Sequence, residues 1–263
     1  MGLSEWRLED AMKKSNFLLV LVLLISACGP ASEGGAISTC RLTVDALSAL
    51  IGGLEFPPNF KTKNSVKIGG EFDVMQYFSV LDDLSMQPGY VLDYVYHYDG
   101  MGGNPVLYVR PTGQPPYATE ADLPAGYDRL DYLNYIQTDD TLDSYFQFMV
   151  LAMMGNQFYK LFHINYNDSQ IVCNKADVTN IVASLNGDFG YRISLPSWVR
   201  AFLLKDVDPS AKFGEQTVEV RFVTFTLWGG FYLETYTLSR SMPHSIQDMQ
   251  KKNLVPYDCG VMF

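Results

Sequence analysis

The residues best suited to chemistry are few. Histidine occurs three times, as His97, His163 and His244. His97 stands in the run YVLDYVYHY, with Asp93 four residues before it and Asp99 two after it. In an extended strand, residues of equal parity share a face, so Asp93 and His97 fall on one side. A carboxylate next to an imidazole can orient it as a general base. His97 with Asp93 or Asp99 is therefore the candidate catalytic group, suited to a hydrolase or transferase. The competing reading is a strand histidine among solvated carboxylates. His163 adjoins an apolar stretch and fits a hydrogen-bonded core histidine. His244 follows Pro243 and fits the start of a helix over 245–252. No G-x-S-x-G elbow, H-E-x-x-H helix, S-x-x-K pair or Walker loop occurs, so catalysis would rest on scattered residues and a non-catalytic role is favoured.

Other polar clusters read as structure. Asp99-Gly100-Met101-Gly102-Gly103 is Gly-rich, but it joins two strand-like runs with no helix after it. The helix N-terminus that would hold a phosphate is missing, and a hairpin connection is expected. Asp82-Asp83, Asp139-Asp140 and Asp206-Val207-Asp208 lack EF-hand spacing and read as caps or solvated faces. No Cys/His spacing suits zinc, and neither a metal nor a cofactor is implied.

The elements that must position these residues mix helical patterns with hairpins. Residues 41–51 show helical spacing, as do those from Val74 to Leu84 behind an Asp73 cap. Tyr90–Tyr98 and Val106–Arg110 form one hairpin, and Thr217–Trp228 with Phe231–Arg240 form the clearest one. Tyr90, Leu92, Tyr94, Tyr96 and Tyr98 share one face of their strand. Val218, Val220 and Phe222 line one face of theirs; Val223, Phe225 and Leu227 line the other, so that strand is covered on both sides. A helix starting near Thr141 is apolar nearly all round and belongs in the core; its pattern runs on to about His163. Asp177 is expected to cap a helix over 178–185, and 196–204 suits another short one. The Pro-rich stretch 111–139 is the candidate binding loop or lid. Without regular βαβ alternation, the fold class is α+β, an antiparallel sheet built from hairpins near 90–110 and 217–240 and packed with helices.

The N-terminal region fixes an address. Met12-Lys13-Lys14 is a positive start, Phe17–Ile25 is an unbroken apolar run, and Ser26-Ala27 are small. This is the plan of a secretory signal, and the apolar run is too short to span a bilayer. Residues 1–11 carry Glu5, Glu9 and Asp10, which do not suit a signal, so the start is expected at Met12. Ile25-Ser26-Ala27-Cys28 resembles the lipobox of bacterial lipoproteins. The resemblance implies cleavage before Cys28 and acylation of its sulfur, so that the chain is membrane-anchored through acyl chains on Cys28, on the extracytoplasmic side. Residue 29 is Gly rather than the Asp that retains many Gram-negative lipoproteins at the inner membrane. Outer-membrane delivery is thus favoured in a host with two membranes. Residues 28–39 read as a lipidated flexible tether and 40–263 as one domain.

With Cys28 committed to lipid, Cys40, Cys173 and Cys259 remain. Export favours a disulfide, and three pairings are open; Cys173–Cys259 is preferred because Cys40 lies close to the anchor. Residues 1–27 carry three basic and three acidic side chains, so their removal leaves the net charge at −10. An acidic domain disfavours nucleic acid as partner and argues against a basic lipid-headgroup patch, so membrane attachment is expected to rest on the acyl chains at Cys28 alone. The 17 tyrosines suit a contact surface for an envelope protein or glycan, or a tyrosine-rich sheet. The expected role is binding or structural, with the His97 hydrolase or transferase as the alternative.

Overall fold

A computed structural model describes residues 34–63, 65–161, 167–185 and 192–260. Cys28 and the rest of the signal region, as well as His163, lie outside these residues. The fold is α+β with antiparallel sheets, as expected.

In chain order, the regular elements are strand β1 (Gly34–Ala36), helix α1 (Cys40–Gly52), β2 (Leu84–Met86), β3 (Tyr90–Tyr98), β4 (Gly103–Pro111), β5 (Ile136–Thr138), helix α2 (Leu142–Met154), β6 (Gln170–Val172), helices α3 (Lys175–Ser184) and α4 (Leu195–Leu203), and strands β7 (Ser210–Phe213), β8 (Thr217–Thr226), β9 (Gly230–Ser239) and β10 (Ile246–Pro256). The main sheet runs β1-β7-β8-β9-β10. β6 also pairs with β8, at Val223–Phe225, beyond the stretch that pairs with β7. The two expected hairpins both form, but they do not share a sheet: β3 and β4 make a two-stranded sheet of their own, from Tyr90–Pro111 to Tyr98–Gly103.

The two-sided pattern of β8 organises the packing. Val218, Val220 and Phe222 enter one core, while Val223 and Phe225 enter another on the opposite face. The first core is centred on α2. Tyr145, Phe146, Phe148, Met149, Val150 and Leu151 are all buried, and α2 contacts α1, β2, β5, β7 and β8. Thr141 caps it, accepting from Ser144 N at 3.1 Å. The helix ends at Met154 instead of continuing to residue 163, because Gly155 leads into a loop in which Tyr159 has φ +45°. The tyrosine face of β3 joins the same core: Leu92, Tyr94 and Tyr96 are buried, with Tyr96 stacked on Phe60 at 4.4 Å. The second core is covered by α3 and α4.

Several local expectations are corrected. Val74–Ser79 is a 3-10 turn, not an α-helix. The cap of α3 is Asn174, whose side chain accepts from Ala176 N at 2.8 Å; Asp177 is the third residue of the same capping box. Residues 246–256 form strand β10 and not a helix. The chain enters it through a cis Met242–Pro243 bond and a turn in which Ser239 N donates to Ser245 O. Most of β10 is exposed on both faces, and two bulges interrupt its pairing with β9. The expected tether 28–39 is shorter than its sequence implies: Gly34–Ala36 pairs with β7, and Ile37 is buried.

The preferred Cys173–Cys259 disulfide is also overturned. Cys40, the first residue of α1, pairs with Cys173 at the β6–α3 junction, and Cys259 is a free, partly buried thiol. Cys40 is held within the domain, since Gly34–Ala36 already pairs with β7 and Ile37 is buried. Arg41 and Asp177 form an ion pair beside the disulfide, and Asp177 also accepts from Cys173 N at 2.8 Å.

Candidate functional site

The residues proposed for catalysis do not assemble. His97 Nδ1 lies 2.5 Å from Oε2 of Glu120, a residue of the loop after β4. Asp93 faces two cations instead. Lys67 Nζ donates to its Oδ1 at 2.5 Å, Arg110 Nε to its Oδ2 at 2.9 Å, and Tyr94 N to Oδ1 at 2.8 Å. Both oxygens are thus engaged by Lys67, Arg110 and Tyr94 N, and the imidazole of His97 is paired with Glu120 instead of Asp93. Burial opposes its ionisation, but the bonds from Lys67, Arg110 and Tyr94 outweigh that and hold its carboxyl below the usual carboxylate range. Asp99 is spent on the hairpin turn, accepting from Met101 N and Gly102 N at 2.8 and 2.7 Å. The Gly-rich segment is thus a hairpin connection.

The other chemically capable groups are likewise structural. His244 is buried, with Nδ1 3.1 Å from Ser239 O and its ring edge-on to Tyr145 and Phe148. Glu234, also buried, accepts from Thr224 Oγ1 and Tyr236 OH at 2.8 and 2.6 Å and pairs with Lys251 at 2.8 Å. Among the described residues no group of three His, Cys, Asp or Glu side chains could hold a metal ion.

The Lys67–Asp93–Arg110 cluster lines a cleft of about 550 Å³ together with Gly70, Phe72 and Tyr117. It acts as a clamp. Lys67 N donates to Ala118 O and Arg110 Nη1 to Gln114 O, so the triad ties the loop before Val74 and the loop after β4 to the hairpin. The candidate lid, residues 111–139, is a cover: Tyr117 packs on Tyr108 at 4.8 Å, Tyr127 OH donates to Leu107 O at 2.8 Å, and both rings lie over the outer face of the β3–β4 hairpin.

The most unusual surface lies on α4. Leu195, Trp198, Val199, Phe202 and Leu203 are 73, 43, 41, 68 and 63 % exposed. Their spacing of i, i+3, i+4, i+7 and i+8 makes one continuous stripe, and Trp198 stacks on Phe202 at 5.8 Å. The helix is seated by its small residues: Ala201 is buried, and Ser197 Oγ donates to Pro256 O at 2.7 Å. Ser194 caps its start, accepting from Ser197 N at 3.3 Å, and Pro196 fits the first turn. Lys175 closes its end, donating to the carbonyls of Ala201, Phe202 and Leu204 at 2.7, 2.7 and 3.0 Å. Held at both ends and along its small-residue side, α4 turns its large apolar side chains outward. Arg192, Arg200 and Lys205 are exposed around it.

Sequence reasoning placed a helix here but missed the ridge. An apolar stripe at helical spacing normally marks the buried side, and the signal that it faces out is the pair of small residues, Ser197 and Ala201, on the opposite side. Among the described residues, no helix is long and apolar enough to cross a membrane. Comparison of the chain with protein-family models, curated proteins and solved structures finds no match.

Proposed function

We propose that this chain is a lipid-anchored extracytoplasmic protein of the cell envelope that acts by binding or as a structural element, with the α4 ridge as its contact surface. The observation that carries the reading is the ridge itself. Five large apolar side chains stand in solvent on a helix fixed at both ends, and a contiguous apolar patch of this kind marks an interaction site. Less favoured is the hydrolase or transferase built on His97 with Asp93 or Asp99, because Asp93 is bonded to Lys67 and Arg110 and Asp99 to the hairpin turn. His97 pairs with Glu120 near the surface and lines none of the larger clefts.

Anchoring rests on the signal from Met12 to the lipobox cysteine Cys28. The test is fractionation of cells expressing the wild-type chain and Cys28→Ser. The wild type is expected in the membrane fraction with an acylated N-terminal peptide by mass spectrometry. Cys28→Ser is expected in the soluble fraction, or as uncleaved precursor. Normal cleavage with full membrane retention of Cys28→Ser would refute the anchor.

A further inference from the structure

We propose that the α4 ridge docks on an anionic bilayer surface and seats the domain flat on the membrane to which the chain is tethered. The inference rests on the anchoring reading given above and assigns the occupant of the ridge. Three observations select a bilayer.

The first is charge. The chain has a net charge of −10, yet α4 itself carries Arg200 and no acidic residue, with Arg192 before it and Lys205 after it exposed; Asp206 and Asp208 follow beyond Lys205. An apolar stripe bordered by basic side chains within an acidic protein is complementary to anionic headgroups, and it matches a helix that lies in the interface plane. The second is composition. The stripe combines Trp198, stacked on Phe202, with Leu195 and Leu203; Trp favours the headgroup level, and Leu and Phe the acyl boundary. The third is reach. Five residues separate Cys28 from Gly34, the first residue of β1. A chain that short extends at most about 20 Å. The domain would therefore stay close to the surface, at a high effective concentration relative to it. Because α4 is already folded and held by Ser197, Ala201 and Lys175, no ordering of the helix opposes insertion.

The test uses the processed chain, residues 28–263, carrying Cys28→Ser so that no acyl group contributes. The described core lies wholly within this chain. The protein is sedimented with vesicles of phosphatidylglycerol and phosphatidylcholine, and with vesicles of phosphatidylcholine alone. Binding is expected to the anionic vesicles, with a blue shift of tryptophan fluorescence that Trp198→Phe diminishes. Each large apolar side chain inserted contributes a factor of about ten in partitioning, so Trp198→Ser with Phe202→Ser should weaken binding by at least ten-fold. Leu195→Ser with Leu203→Ser, at the two ends of the stripe, provides a second variant should the first fail to fold. Arg200→Gln with Lys205→Gln should weaken binding several-fold, on anionic vesicles only.

Absence of vesicle binding, or binding that both ridge variants leave unchanged, overturns the proposal. A concentration-dependent dimer in sedimentation equilibrium that the ridge variants abolish, without vesicle binding, assigns the ridge to a second copy of the chain and also overturns it. Since the protein tested carries no lipid, a failure here is separate from a failure of the Cys28 anchor, which is read in cells.

Discussion

Removing the Cys40–Cys173 disulfide should cost a large share of the stability of this domain. The bond joins residues 133 apart in sequence. Closing a loop of that length removes chain entropy from the unfolded state worth about 5 kcal/mol at room temperature in the loop-closure model. Cys40 and Cys173 are both buried, so replacing them by alanine also loses about 1 kcal/mol of packing at each. The folded state should tolerate the change, because the Arg41–Asp177 ion pair and the Asp177 bond to Cys173 N hold the same junction. Measured losses generally fall short of the loop-closure model, so we expect the Cys40→Ala/Cys173→Ala variant to lose roughly 3–5 kcal/mol in all. In urea unfolding followed by far-UV circular dichroism, the midpoint should fall by roughly 2 M, and the slope should rise as the unfolded chain expands. Cys259→Ala is the control and should move stability by less than about 1 kcal/mol. Two results would refute the reasoning: a loss below about 1 kcal/mol in the double variant, or non-reducing peptide maps that join Cys259 to either other cysteine.

Other expectations concern the clamp and a turn. Asp93→Asn leaves Lys67 and Arg110, 14 and 16 % exposed, without their counter-charge and should cost about 3–5 kcal/mol; equal thermal midpoints would contradict this. The carboxyl of Asp93 is held below its ordinary range. Its contribution is therefore complete above the unfolded value of about 3.9 and is lost as pH falls through the lower folded value. Between pH 5 and pH 2 the wild type should lose more stability than Asp93→Asn does. Gly230 has φ +89°, and a Cβ there would lie 2.1 Å from the carbonyl oxygen of Val255. Gly230→Ala should cost about 2–4 kcal/mol, whereas Gly113→Ala, with open space around it, should stay within about 0.5 kcal/mol; similar midpoints for the two would count against the turn geometry.

The parts of this fold that could be read from the sequence are those in which one periodicity dominates. The hairpins at 90–110 and 217–240 alternate with period two, and α2 is apolar all round, so each declares its own structure and burial. Elements decided by tertiary contacts were not readable. The 246–256 segment carries no apolar face, and only pairing with β9 makes it a strand. Cys40 and Cys173 meet because α1 packs at the β6–α3 junction, which spacing cannot reveal. At the candidate site, Asp93 and His97 do share a strand face as parity requires, but Lys67 and Glu120 come from loops 26 and 23 residues away, and Arg110 from 17 residues away across the hairpin. Loops of this kind have no sequence rule for where they return.

Under the membrane anchoring proposed above, the exposed strand β10 has a further consequence. Molecules confined to two dimensions meet one another far more often than in bulk solution, and an unpaired strand edge is a template on which a neighbour can add. β10 is such an edge among the described residues, since it pairs with β9 alone. Its bulges break the regular row of donors and acceptors, and exposed Lys252 adds positive charge to it. Copies crowded side by side would meet an interrupted, charged row there. The edge is thereby kept from becoming a seam between neighbours, and the sheet ends where the single chain ends it.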